Sequence, residues 1–95
     1  MIVVQYTPAA MTRAQYEQIM QGLGEAGALG MPGGLAHVCF GEEGRLSVTD
    51  VWESEEAFRP FRDKLLPIVR AVGVDTTYHV YPAVSSLGIE AEAGA

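Results

Sequence analysis

Ninety-five residues suffice for one domain with a modest core, and a hydrophobic share of 48% is that of an ordinary globular chain. Twelve acidic against six basic residues leave a net charge of −6, which repels phosphate backbones and anionic lipid and so argues against nucleic acid or a membrane surface as partner. No apolar run approaches the ~20 residues of a membrane span, no basic segment precedes the apolar start as in a secretory signal, and the single Cys39 excludes an internal disulfide. A cytoplasmic protein is expected.

Ile2 to Thr7 is β-branched and aromatic, which predicts a first strand stopped by Pro8. Thr12-Arg-Ala-Gln15 reads as a capping box, and Tyr16, Ile19, Met20 and Leu23 follow at helical spacing as one apolar stripe. Gly22, Gly24 and Gly27 predict a loose last turn. The loop from Gly27 to Gly34 is rich in glycine yet carries Leu29 and Met31, so it is expected to plug the edge of the core, with a ligand lid as the alternative. Leu35 to Phe40 is a second strand, and Gly41-Glu-Glu-Gly44 a tight hairpin turn into a third.

In that third strand Leu46, Val48, Asp50 and Trp52 point one way, and Ser47, Thr49, Val51 and Glu53 the other. Ser54 then caps a helix whose first turn holds Glu55 and Glu56, at the end where carboxylates favour the helix dipole. Phe58, Phe61, Leu65, Ile68, Val69 and Val72 form its apolar side. Pro60 and Pro67 lie within it, and an interior proline costs roughly 3 kcal/mol, so a kinked or broken helix is expected. Thr76 to Val84 is a fourth strand, ending at an edge because of Pro82. Residues 85–95 are small and acidic, a flexible tail or an arm on a partner.

The order strand, helix, strand, strand, helix, strand predicts an α+β, ferredoxin-like domain over residues 1–84. Its four antiparallel strands would carry both helices on one face. Apolar residues on both faces of the strands call for a cover on the other side, which a second copy supplies most economically: a homodimer.

The starting strand Met1-Ile-Val-Val4, the glycine-led Gly34-Leu-Ala-His37, and above all the corner Val51-Trp-Glu-Ser-Glu-Glu-Ala-Phe58 resemble the dimeric α/β-barrel superfamily, the group of antibiotic-biosynthesis-monooxygenase-like domains. The resemblance implies two sheets paired face to face, with a pocket in each subunit between its helices and sheet. It would place Asp50 and Trp52 on the pocket side of strand three, and Gln5 and Thr7 on the pocket side of strand one. Such families include cofactor-independent oxygenases of hydroxylated aromatic polyketides, polyketide cyclases and haem-degrading enzymes. The haem-degrading pattern uses an asparagine late in strand one, the tryptophan present here as Trp52, and a histidine in the second helical region. Here Thr7 stands at the first position, and no histidine occurs between Ser54 and Gly73.

The candidate chemistry rests on two histidines, His37 and His79. Either, if paired with Asp50, would give a carboxylate-oriented imidazole able to take a proton from an acidic phenol or enol. That is the first step of both oxygen attack on a phenolate and aldol-type ring closure, and neither needs a metal or other cofactor. The competing reading makes all three core polar residues that satisfy one another or the backbone. Trp52, Phe58 and Phe61 are candidate walls and ceiling for an aromatic or apolar ligand, with core packing as the plainer role. Cys39 lies between Val38 and Phe40 and reads as a packing residue. No metal-ligand spacing or phosphate-cradling loop is present. The sequence thus supports a small cofactor-independent enzyme, of monooxygenase or cyclase type, acting on an aromatic or polyketide-like molecule. The alternative is a non-catalytic barrel that binds a small molecule or serves a regulatory partner.

Overall fold

A computed structural model describes residues 1–89. The elements run β1 (Ile2–Pro8), α1 (Arg13–Glu25), β2 (Gly34–Glu42), β3 (Arg45–Trp52), α2 (Glu55–Val72) and β4 (Thr76–Pro82). All strand pairings are antiparallel and the sheet order is β2-β3-β1-β4, the ferredoxin-like arrangement predicted from the element order. Residues 90–95 of the expected tail lie outside the described residues. Among the described residues no helix is long and apolar enough to cross a membrane.

Register decides what each sheet face carries. Val4 lies opposite Asp50 and Tyr6 opposite Val48 on β3, while Val4 also faces Val80 and Tyr6 faces Tyr78 on β4. These side chains form the helix-covered face, where Val4, Tyr6, Val48 and Trp52 join Ile19 and Leu23 of α1 and Phe58, Phe61, Leu65 and Val69 of α2 in one core cluster. The intervening residues, among them Val3, Gln5, Thr49, Val51, His79 and Tyr81, occupy the other face. No helix covers that face, and it presents Val38, Phe40 and Tyr81, each about half exposed.

Both caps form as read. Thr12 Oγ1 accepts from the Gln15 backbone N–H at 3.1 Å while the Thr12 N–H donates to Gln15 Oε1 at 3.0 Å, and Ser54 Oγ accepts from the Ala57 N–H at 3.1 Å. The loose last turn expected of α1 is not seen, since the helix runs through Gly22 and Gly24 to Glu25. Gly22 has a packing reason: a Cβ built there would lie 2.8 Å from Ile68 Cγ2 of α2, so the glycine lets the two helices approach.

Helix α2 corrects the expected break. It is neither broken at Pro60 nor at Pro67 but spans all 18 residues. The two prolines sit seven residues apart on the exposed side. The carbonyls they deprive of a donor, those of Glu56 and Asp63, are on exposed residues that water can satisfy, so the buried side of the helix keeps its ladder. The loop expected to plug the core edge does so only in part. Ala28 is buried and Met31 partly so, but Leu29 is 52% exposed.

Candidate functional site

The one buried charged residue among those described is Asp50, 4% exposed, in the middle of β3 with its side chain under the helices. A carboxylate there needs partners. The register of β2 places His37 directly opposite Asp50, and His37 Nδ1 meets Asp50 Oδ1 at 2.6 Å. A bulge between Gly34 and Ala36 adjusts β2 just before this point. The other ring nitrogen, Nε2, lies 2.7 Å from the Tyr16 hydroxyl of α1, and the two rings stack nearly parallel with centroids 6.0 Å apart. With His37 neutral, the carboxylate holds the proton on Nδ1 and leaves Nε2 to accept from Tyr16. The hydrogen bond to Asp50 raises the imidazole's pKa above its ordinary 6.5, burial opposes this, and the carboxylate's charge adds to the rise. Burial raises the Tyr16 phenol. The result is a chain from carboxylate to imidazole to phenol across three elements, running from a buried anion to a histidine side chain that is 39% exposed on an edge strand.

This chain borders two adjoining clefts. A narrow one of about 50 Å³ penetrates the core between Tyr6, Tyr16, His37, Asp50 and Phe61. A wider one of about 330 Å³ opens under the loop after α1, walled by Leu29, Met31, Leu35, His37, Trp52 and Phe61. His37, Asp50 and Phe61 belong to both. The mixture of mostly apolar walls and few convergent polar groups is that of a small-molecule site, and the wider cleft falls within the usual size range.

Of the residues singled out from the sequence, Asp50, His37, Trp52 and Phe61 meet here. His79 does not: it pairs with Gln5 across β1 and β4, on the face away from the helices. Gln5 and Thr7 are on that same face. Gln5 Oε1 accepts from Thr49 Oγ1 at 2.5 Å, a bond on the side opposite Asp50, and Thr7 pairs with Thr77. The strict alternation of β1, which commits Val4 and Tyr6 to the core, forces both outward. Phe58 is 1% exposed and sealed between Trp52 and Tyr78, so of the two phenylalanines expected to roof the site only Phe61 reaches it. Trp52 is itself only 5% exposed, with its ring packed 5.1 Å from Phe61, and it contributes a wall rather than an open platform.

Two residues were missed. Tyr16 was read only as part of the apolar stripe of α1, and nothing in its spacing signals that its hydroxyl reaches His37. Tyr6 reads from the sequence only as one residue of the first strand. Its buried hydroxyl is the single buried side-chain polar atom without a hydrogen-bond partner among the described residues.

No family model matches the chain, and no curated protein sequence does either. Solved structures do. SnoaB, a cofactor-independent oxygenase from Streptomyces nogalater crystallised as a point mutant, superposes with a TM-score of 0.63 at 20% identity, over 92% of this chain and 95% of that one. A proposed antibiotic biosynthesis monooxygenase from Chloroflexus aurantiacus gives 0.62 at 21% identity, over 95% of this chain and 100% of the other. The haem degrader MhuD from Mycobacterium tuberculosis gives 0.55 at 17% identity, over 93% and 100%. The chain therefore has the fold of antibiotic-biosynthesis-monooxygenase-like domains across nearly its whole length. The histidines of this chain lie on β2 and β4, and α2 has none.

Proposed function

We propose that the protein is a small enzyme that removes a proton from an aromatic or polyketide-like molecule without a cofactor. His37 is the base, Asp50 orients it, and Tyr16 is the proton conduit. The observation that carries this reading is the continuous Asp50–His37–Tyr16 chain at the edge of an apolar cleft. A substrate lying in the wider cleft, with an acidic C–H or O–H reaching into the adjoining narrow cleft that Tyr16 lines, gives up its proton to the phenol oxygen, while the phenol's own proton passes to His37 Nε2. The electron pair stays on the substrate as an enolate or phenolate, and Asp50 stabilises the imidazolium. That anion is the species that reacts with dioxygen in monooxygenase chemistry or attacks an internal carbonyl in cyclase chemistry. The activities of SnoaB and other structures of this fold support this reaction class.

We further infer that two copies pair through their uncovered sheet faces. Support comes from the half-exposed Val38, Phe40 and Tyr81 on that face and from a dimeric ferredoxin-like structure among the neighbours.

A substrate-independent assay tests the base. β-Tetralone carries mildly acidic C–H bonds beside a carbonyl, and in D2O its exchange is followed by proton NMR. The protein should accelerate exchange over buffer, and Asp50→Asn should slow it at least tenfold while ligand affinity changes little. If the wild type gives no acceleration but binds the ketone, with Trp52→Ala causing the main loss of affinity, the domain is a binding module instead.

A further inference from the structure

The Tyr6 hydroxyl is the anomaly of this core. The residue is 5% exposed, its hydroxyl reaches no hydrogen-bond partner, and it lines the narrow cleft together with Tyr16, His37 and Asp50. Asp50 approaches the hydroxyl closely enough to act on it by charge and by a loose hydrogen-bonding contact, but no hydrogen bond of proper distance and angle joins the two. A buried donor without a well-formed hydrogen bond is costly, whereas a phenylalanine of nearly the same shape would avoid that cost. The hydroxyl is held in place on three sides. Tyr78 packs against the ring at 6.1 Å, β1 is fixed between β3 and β4, and the apolar residues Leu65 and Val69 of α2 line the same cleft. Burial first, then the charge of Asp50 and its contact with the hydroxyl, raise its pKa far above the ordinary value for tyrosine, so it remains a protonated donor.

We propose that the Tyr6 hydroxyl is the oxygen-recognition point of the site, donating to a carbonyl or enolate oxygen of the substrate that enters the narrow cleft while the adjacent acidic C–H faces Tyr16 and His37. This rests on the proton-abstraction reading and specifies its substrate class: a ketone whose carbonyl carbon is bonded to the carbon that loses its proton. When the C–H bond breaks, its electron pair moves onto that oxygen. The proton reaches His37 Nε2 through Tyr16, and the developing oxyanion accepts from Tyr6. The donor thus counts for more as charge grows, in a recess where apolar side chains strengthen it.

The test compares β-tetralone with tetralin, the hydrocarbon of the same ring system, by NMR titration against the wild type and Tyr6→Phe. The wild type should prefer the ketone. Tyr6→Phe should lose about five- to tenfold in affinity for the ketone, keep its affinity for tetralin, and melt no lower than the wild type, because the deleted hydroxyl made no well-formed hydrogen bond. Exchange of the ketone's C–H protons should slow further than binding alone accounts for. The proposal falls if Tyr6→Phe keeps the preference, or if the wild type does not distinguish the two probes, including by binding neither. It also falls if the variant melts lower with ligand preference intact, which would make the hydroxyl a structural partner of Asp50. Loss of preference in Tyr6→Phe, with no exchange by the wild type, would uphold the donor and refute the base. Unchanged exchange in Tyr6→Phe would refute the donor and leave the base standing.

Discussion

At His37 the same hydrogen bond that holds the imidazole also sets the pH at which it works. The bond to Asp50 favours the protonated ring and moves its pKa above 6.5, but proton abstraction needs the neutral ring. The acid limb of kcat/KM for β-tetralone exchange should therefore lie above 6.5, with activity rising as pH rises through it. Asp50→Asn removes the charge and weakens the hydrogen bond that raise the pKa and leaves burial, which lowers it, so the limb should shift to lower pH even as the maximum rate falls. A limb that stays in place would show that His37 is not the titrating base. Stability runs the other way. A group whose folded pKa is raised stabilises the fold fully below its unfolded value and loses that contribution as pH rises through the folded value. The wild type should thus become less resistant to urea over the interval in which it becomes more active, and Asp50→Asn should flatten this slope.

At the scale of elements, the two helices show how local rules yield to position. Pro60 and Pro67 lie within α2 and fail to break it, because both stand on the side where lost hydrogen bonds are returned to water. Gly22 in α1 disfavours helix by about 1 kcal/mol relative to alanine, yet the helix continues because its surface there meets Ile68. Gly22→Ala should gain that propensity and lose more to overpacking, which typically costs about 1–3 kcal/mol. A net loss of about 1 kcal/mol is expected, read as a lower urea midpoint at unchanged slope. In an Ile68→Ala background the same substitution should be neutral or stabilising, since the opposing methyl is gone. If Gly22→Ala stabilises the protein with Ile68 present, the helices are not held at this contact.

At the scale of the whole molecule, a sheet clad by helices on one side leaves the residues of the other side without cover. Two copies joined through that face would bury Val38, Phe40 and Tyr81. Light scattering at micromolar concentration should return twice the mass of the 10.2 kDa chain, and Phe40→Lys should shift it toward monomer; a monomeric wild type would remove the basis for the interface. The plan of strands and helices was legible because alternation in β3, the caps at Thr12 and Ser54, and the hairpin glycines each carry local information. The site was legible only in part. Alternation shows which residues of one strand share a face, and so put Asp50 beside Trp52. It cannot show whether His37 or His79 stands opposite Asp50, because that depends on register between strands distant in sequence. Gln5 and Thr7 were misplaced because the resemblance was set above the alternation of their own strand. Tyr16 and Tyr6 stayed hidden because an apolar ring and its hydroxyl share one residue, and the sequence pattern reads only the ring.

The position of Trp52 has one more consequence. The chain has a single tryptophan, and it forms a wall of the cleft that adjoins His37 and Asp50, packed against Phe61. Indole fluorescence from this protein therefore has one origin, with no second emitter to dilute it. A quinone or other quenching aromatic that enters the cleft dims the whole signal, while one that settles on the far sheet face has the full thickness of the sheet between itself and the indole. The fold thus carries its own optical reporter of occupancy, placed where a labelling chemist would have put one.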